Sequence, residues 1–162
     1  MGSGKTTLGL LLSESLAYPF VDLDSEVERA AGCSIRDLIE EHGEPAFRRQ
    51  EMAALQDVMP LVESDCVVAT GGGIVETAEA AAALRQFGTV VWLRADPQQC
   101  VARLAAQGAK RPLLDDEAEW QRRWRQRLPL YKALADVSID TDSGSAADSL
   151  ATLLLQLGDS KA

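Results

Sequence analysis

The feature that most narrows the fold is a hexapeptide near the amino end, Gly2-Ser3-Gly4-Lys5-Thr6-Thr7, which runs directly into leucines at 8, 11, 12 and 16. Leucines at that spacing line one face of a helix. A glycine-rich turn feeding a helix N-terminus is the second half of the phosphate-loop pattern G-x-x-x-x-G-K-[ST]. Its backbone N–H groups surround phosphate oxygens at the positive end of the helix dipole. Glycine is required there because the loop approaches the oxygens closely with unusual dihedral angles. In such a loop Lys5 reaches the β- and γ-phosphates, and the Thr6 hydroxyl holds Mg2+. The first glycine of the pattern, and the strand that feeds it, would fall before residue 1. The plain alternative is a solvated glycine-rich tail, and the segments downstream weigh against it.

Those segments alternate short β-branched runs with longer amphipathic stretches, the pattern of a parallel α/β sheet. A helix is expected over 6–17 and a short strand over Phe20–Leu23. Ser34-Ile35-Arg36-Asp37 resembles a capping box and opens a helix towards His42. A longer helix is expected from about Pro45 to Val62, with proline in its first turn. Residues 66–70 and 89–93 read as fully buried strands, and Asp96-Pro97 supplies an N-cap and N1 pair for the next helix. Val137–Asp140 reads as the last strand and Ala146–Leu157 as the last helix.

With 162 residues and 46% hydrophobic content the chain fits one domain with one core. A net charge of −9 argues against a general nucleic-acid binder, which needs a basic footprint. Half of the sixteen Lys and Arg residues nevertheless lie between Arg103 and Lys132. That local basic field suits a small anionic ligand. No apolar run reaches the length of a membrane span and no secretory leader pattern is present, so neither membrane nor export is expected. Cys33, Cys66 and Cys100 are widely spaced without a CxxC pair, and His42 is the only histidine. They read as small buried residues of a reducing compartment, and a zinc site is rejected.

Four further segments carry chemistry. Asp22-Leu23-Asp24 ends a strand, and alternation puts both acids on one face at its carboxyl end. One such acid can orient Mg2+ through water and the other can accept a hydroxyl proton, although either can instead cap a helix. Arg48 and Glu51 lie three apart on one helix face, where an exposed ion pair worth under about 1 kcal/mol is the bland reading. Arg127 sits in a basic helical stretch with a similar bland reading. Gly71-Gly72-Gly73 directly follows a strand, and three glycines carry an entropic cost best explained by close backbone approach to a ligand. Lys110-Arg111-Pro112 lies between two helices and reads as a lid whose cation closes over phosphates, or as a solvated loop.

Taken together, GSGKTT, the DLD acids, GCSI followed by GEPAFRRQE, TGGGIV, KRPLL and RQRLPLY resemble the shikimate kinase family along essentially the whole chain. The order and spacing of these segments are more specific than any one of them. The resemblance implies a three-layer α/β P-loop kinase fold around a central parallel sheet, as a single domain over 1–162 with a lid at about 108–118. In the family's strand order the first strand is central, so it would be missing from this chain. The implied reaction moves the γ-phosphoryl group of ATP to the 3-hydroxyl of shikimate, in aromatic amino-acid biosynthesis. Residue by residue, Gly2, Ser3, Gly4, Lys5, Thr6 and Thr7 match the ATP loop, and Thr6 and Asp22 the surroundings of Mg2+. Asp24 matches the acid at the reacting hydroxyl, Arg48 and Arg127 the grip on the shikimate carboxylate, and Glu51 the acid orienting that arginine. Gly71, Gly72 and Gly73 match the shikimate loop, and Arg111 the lid arginine. Arg103 is assigned to adenine stacking. The resemblance further implies a cytoplasmic monomer whose partners are shikimate and ATP. A gluconate kinase shares GSGKTT and a lid but not the FRR, GGG and RQRLPLY combination, and a P-loop relative without turnover is the other alternative.

Overall fold

A computed structural model describes residues 2–61, 65–106 and 117–159. It divides into two compact units, residues 9–87 and residues 1–8 with 88–162. Helix α1, Lys5–Leu16, carries the chain from one unit into the other.

In the unit of residues 9–87, strand β1 (Phe20–Asp22) is followed by α2 (Leu23–Ala31), α3 (Ile35–His42) and α4 (Glu44–Leu61). Strand β2 (Val67–Ala69), a 3-10 turn (Ile74–Glu76) and α5 (Ala78–Phe87) complete it. β1 and β2 pair in parallel, with Phe20 opposite Val67 and Asp22 opposite Ala69. A parallel pair needs a long crossover, and the three intervening helices supply it. Helices α2 and α3 both pack against α4. Leu23, Val27, Leu38, Phe47, Leu55 and Val58 form the buried interior of these helices.

Local sequence sets the ends of these helices. Gly32 adopts φ 69°, a left-handed angle that glycine takes without strain, and its N–H closes α2 on the Glu28 carbonyl. The Ser34 hydroxyl then caps α3 by accepting from the Asp37 N–H at 3.1 Å.

In the second unit, β3 (Val91–Arg94), α6 (Pro97–Ala106), α7 (Glu117–Leu134), β4 (Val137–Asp140) and α8 (Ala146–Asp159) follow in order. β3 pairs with β4 in parallel, Val91 opposite Val137 and Arg94 opposite Asp140. Val137 and Ile139 of β4 point into a core with Leu104, Leu134 and Leu153, while Ser138 and Asp140 face outward. Asp96 caps α6, its Oδ1 accepting from the Gln98 N–H at 2.8 Å. Trp92 stacks on Tyr131 with ring centroids 5.9 Å apart.

The sequence reading needs three corrections. Leu23 belongs to α2 rather than to the strand, so Asp24 lies in a first helical turn and not on a strand face beside Asp22. The physical reason is Asp22 itself, whose side chain accepts from the Asp24 N–H at 3.1 Å and starts the helix one residue later. The strand expected at 89–93 lies at Val91–Arg94. Apart from buried Ala69, β2 and β3 are half-buried, Arg94 being exposed; among the described residues each strand has one sheet neighbour. No helix among the described residues is long and apolar enough to cross a membrane.

Candidate active site

Within residues 9–87, Asp24, Arg48, Glu51, Gly71 and Gly73 are brought together around the base of the glycine loop. Helix α4 presents Arg48 and Glu51 on one face, as their spacing of three requires. The result is not a surface ion pair. Glu51 is only 1% exposed, and its Oε2 accepts from Arg48 Nη1 at 2.7 Å. Arg48 Nη2 donates to Glu44 Oε1 at 2.9 Å and to Glu76 Oε2 at 3.0 Å. The guanidinium also lies over the Phe47 ring, 5.0 Å from its centroid. Burial works against its charge, but the hydrogen bond and charge of Glu51, with the charges of Glu76 and Glu44, outweigh burial and raise its pKa above the ordinary value. Arg48 is thus a permanently charged, immobilised fork.

The glycines explain themselves here by what surrounds them. A Cβ on Gly73 would overlap the Arg48 guanidinium, coming within 2.7 Å of Nη1. On Gly71 it would collide with Glu51 and come within 3.0 Å of Asp24 Oδ1. The loop backbone therefore rests directly on the three charged side chains, which no other residue type permits. Asp22 holds the start of α2 and so fixes where Asp24 stands.

Within residues 1–8 and 88–162, the phosphate loop is held by backbone contacts. Gly2 and Gly4 adopt φ 76° and 88°, the left-handed region that an L side chain enters only with strain. A Cβ on Gly2 would lie 2.6 Å from the Cys100 carbonyl oxygen, so the loop is seated against α6. The Gly4 carbonyl accepts the first helical bond, from Leu8 N at 2.8 Å. Lys5 and Thr6 consequently occupy the first turn of α1, where the N–H groups of a helix start and the helix dipole favour an anion.

Arg103 lies beside this loop. Its Nη1 donates to the Gly2 carbonyl at 3.4 Å, its Nη2 donates to the Thr141 carbonyl, and Asp142 stands 3.8 Å away. The Thr141 hydroxyl lies within donating distance of the Arg94 carbonyl, at 3.0 Å, and of the Ser3 carbonyl, at 3.3 Å. Thr141 and Asp142 were not singled out from sequence. Their position at the carboxyl end of β4 was the available signal, since α/β sheets place ligands there. Glu44 and Glu76 were missed as well; the i, i+4 spacing of Glu44 to Arg48 was legible, whereas nothing local links Glu76 to residue 48.

Arg127 lies half-buried on α7, which continues through Pro129. Arg111 and most of the expected lid lie outside the described residues. Burial pushes the Cys66 and Cys100 thiols up, against any role as nucleophile for these two. Among the described residues no group of three or more His, Cys, Asp and Glu side chains forms a metal site. The hydroxyl of Thr6 and the carboxylate of Asp22 are hard oxygen donors of the kind that suit Mg2+. Each supplies a single ligand, so a Mg2+ at either would draw most of its shell from phosphate and water.

Comparison with known proteins gives this arrangement a context. The family model described as "Shikimate kinase" matches residues 1–157. A shikimate kinase of Marinomonas sp. (strain MWYL1) is 41% identical over 146 residues, covering 88% of this chain and 80% of that protein. A shikimate kinase of Parasynechococcus marenigrum (strain WH8102) is 44% identical over 142 residues, covering 86% of this chain and 72% of that one. Among solved structures, shikimate kinase from Acinetobacter baumannii in complex with shikimate aligns with a TM-score of 0.84 and 38% identity, over 99% of this chain and 89% of that one. The Aquifex aeolicus shikimate kinase aligns with a TM-score of 0.84 and 30% identity, over 99% and 94%.

Proposed function

The chain belongs to the shikimate kinase family, and we propose that it transfers the γ-phosphoryl group of ATP to the 3-hydroxyl of shikimate. The observation that carries this reading is the buried Arg48–Glu51 pair held against the glycine loop, with Asp24 at the same loop. A planar carboxylate is gripped well by a fixed guanidinium, which offers paired N–H donors where lysine offers a point charge. Arg127 is assigned as the second arginine on the acceptor's carboxylate. Asp24 is the proton acceptor. As the 3-hydroxyl oxygen bonds to the γ-phosphorus, the bond from that phosphorus to the β,γ-bridging oxygen breaks, ADP leaves, and the hydroxyl proton passes to Asp24.

Phosphoryl transfer asks a protein for in-line placement and positive charge rather than for a covalent intermediate. Lys5 and the loop N–H groups take the β- and γ-phosphates, and Arg111 adds a cation from the lid. Thr6 would hold Mg2+ directly and Asp22 through water; bound there, the ion neutralises charge on the phosphate oxygens. Arg103 is assigned to the adenine; its bonds to Gly2 and Thr141, which hold it beside the phosphate loop, support that reading.

A coupled assay of ADP release, run with shikimate and with gluconate, tests the proposal. Turnover with shikimate and none with gluconate is expected. Equal rates with both acceptors, or turnover with gluconate alone, would overturn it.

A further inference from the structure

Arg48 carries more carboxylates than a substrate-gripping arginine needs. A guanidinium has five N–H donors and two edges that take a carboxylate bidentately, Nη1 with Nη2 and Nε with Nη2. Both edges use an Nη2 hydrogen. In this chain Nη2 donates to both Glu44 and Glu76, at 2.9 and 3.0 Å. Nη1 is engaged by Glu51. Arg48 Nε is buried and has no hydrogen-bond partner among the described residues, so the Nε–Nη2 edge is half satisfied. A fourth carboxylate can therefore be seated bidentately only if Glu44 or Glu76 gives way.

The two acids are not equivalent. Glu44 lies one turn before Arg48 on the same helix, so their contact follows from α4 alone. Glu76 comes from 28 residues away, at the end of the 3-10 turn that leaves the glycine triplet. Its contact spans two elements, and its side chain is 30% exposed against 2% for Glu51. A ligand that settles on Gly71-Gly72-Gly73 meets Glu76 at the edge of the loop. With three acids on one guanidinium the cluster is net negative, which opposes an anionic acceptor.

We infer that Glu76 is a specificity-determining residue that occupies Arg48 in the empty site and is displaced by the acceptor's carboxylate. The inference rests on the reading that Arg48 grips that carboxylate. Glu76 keeps the buried guanidinium hydrogen-bonded between turnovers and sets a threshold for entry. A carboxylate can exchange for a carboxylate on Nη2, whereas a neutral hydroxyl cannot replace the charge it would have to push aside. Acceptor affinity is lowered by this competition, and the chemical step is untouched because Glu76 has left Arg48 by then.

The test is calorimetric titration of shikimate, without nucleotide, into the wild-type chain, Glu76→Gln and Glu44→Gln, with KM and kcat measured alongside. Removing a partly exposed charge that competes for the site should lower the Kd of Glu76→Gln by about three- to tenfold. KM for shikimate should fall with it, kcat should stay within about twofold, and Glu76→Asp should return towards the wild-type Kd. Glu44→Gln should move Kd less. An unchanged or higher Kd in Glu76→Gln, with wild type binding shikimate normally, would overturn the inference and leave the proposed function standing. If Glu76→Gln proves unfolded by circular dichroism, Glu76→Ser carries the same comparison. Failure of the wild-type chain to bind shikimate would remove the carboxylate-gripping role of Arg48, and the inference with it.

Discussion

The two units build their halves of the chemistry from different materials. Residues 9–87 use charged side chains, with Arg48 fixed by Glu44, Glu51 and Glu76 and covered by glycine backbone. Residues 1–8 with 88–162 use backbone, with Gly2 and Gly4 in left-handed conformations, Gly2 against the Cys100 carbonyl, and Ser3 beside the Thr141 hydroxyl. Under the proposed function, the difference follows from what the Arg48 cluster and the phosphate loop each have to recognise. Every nucleoside triphosphate presents the same phosphate oxygens, and a ring of N–H groups at a helix start reads them without selecting anything else. An acceptor is one molecule among many polyols, and only placed side chains can discriminate it. A substitution in the Arg48 cluster should therefore leave phosphate binding nearly untouched, and one in the phosphate loop should leave the Arg48 cluster nearly untouched.

The largest effect should come from Asp24→Asn, which keeps shape but removes the proton acceptor. Its kcat should fall by about 10²- to 10⁴-fold, with ATP affinity close to wild type, in a coupled ADP assay and a nucleotide titration. Near-normal turnover would reduce Asp24 to a first-turn helix acid. Next comes Glu51→Ala, which strips the buried partner from Arg48 but leaves Glu44 and Glu76 on it, and should cost about 1.5–3 kcal/mol of stability in a denaturant titration. The same substitution at Glu119, which bonds Arg122 and Arg123 on the surface of α7, should change stability far less.

Gly73→Ala should weaken shikimate binding by at least about tenfold, because the added methyl group overlaps the Arg48 guanidinium. ATP binding should be unchanged. Its mirror is Gly2→Ala, which combines a φ of 76° with a collision at the Cys100 carbonyl. That variant should lose ATP affinity by about five- to thirtyfold, the effect of about 1–2 kcal/mol of backbone strain, and keep shikimate affinity. The smallest effect is local. The Arg122 and Arg123 hydrogen bonds hold the Glu119 carboxyl down to about 2, so NMR titration should show it ionised through the whole range where free glutamates protonate. The stability it contributes is present above the ordinary glutamate range and is lost only as pH falls towards about 2.

Elements whose ends are set by neighbouring residues were readable in the sequence. Ser34 and Asp96 act as caps, and strand β4 spans the expected residues, because a cap and a period-two alternation are decided within a few positions. Arg48 and Glu51 were legible as a pair for the same reason, though not their burial. What stayed hidden depends on residues far apart in the chain. Glu76 reaches Arg48 across 28 positions, and Arg103 reaches Thr141 across 38. No periodicity or local motif encodes such contacts.

If Arg48 serves the acceptor and not the nucleotide, Arg48→Lys will separate the two ligands. Lysine keeps the positive charge but loses the paired N–H edges. Parallel titrations of shikimate and of ATP into this variant should show shikimate affinity falling by about 10- to 150-fold, corresponding to about 1.5–3 kcal/mol for a hydrogen bond to a charged group. ATP affinity should stay within about twofold. Equal losses for both ligands, or a loss confined to ATP, would contradict the assignment of Arg48 to the acceptor.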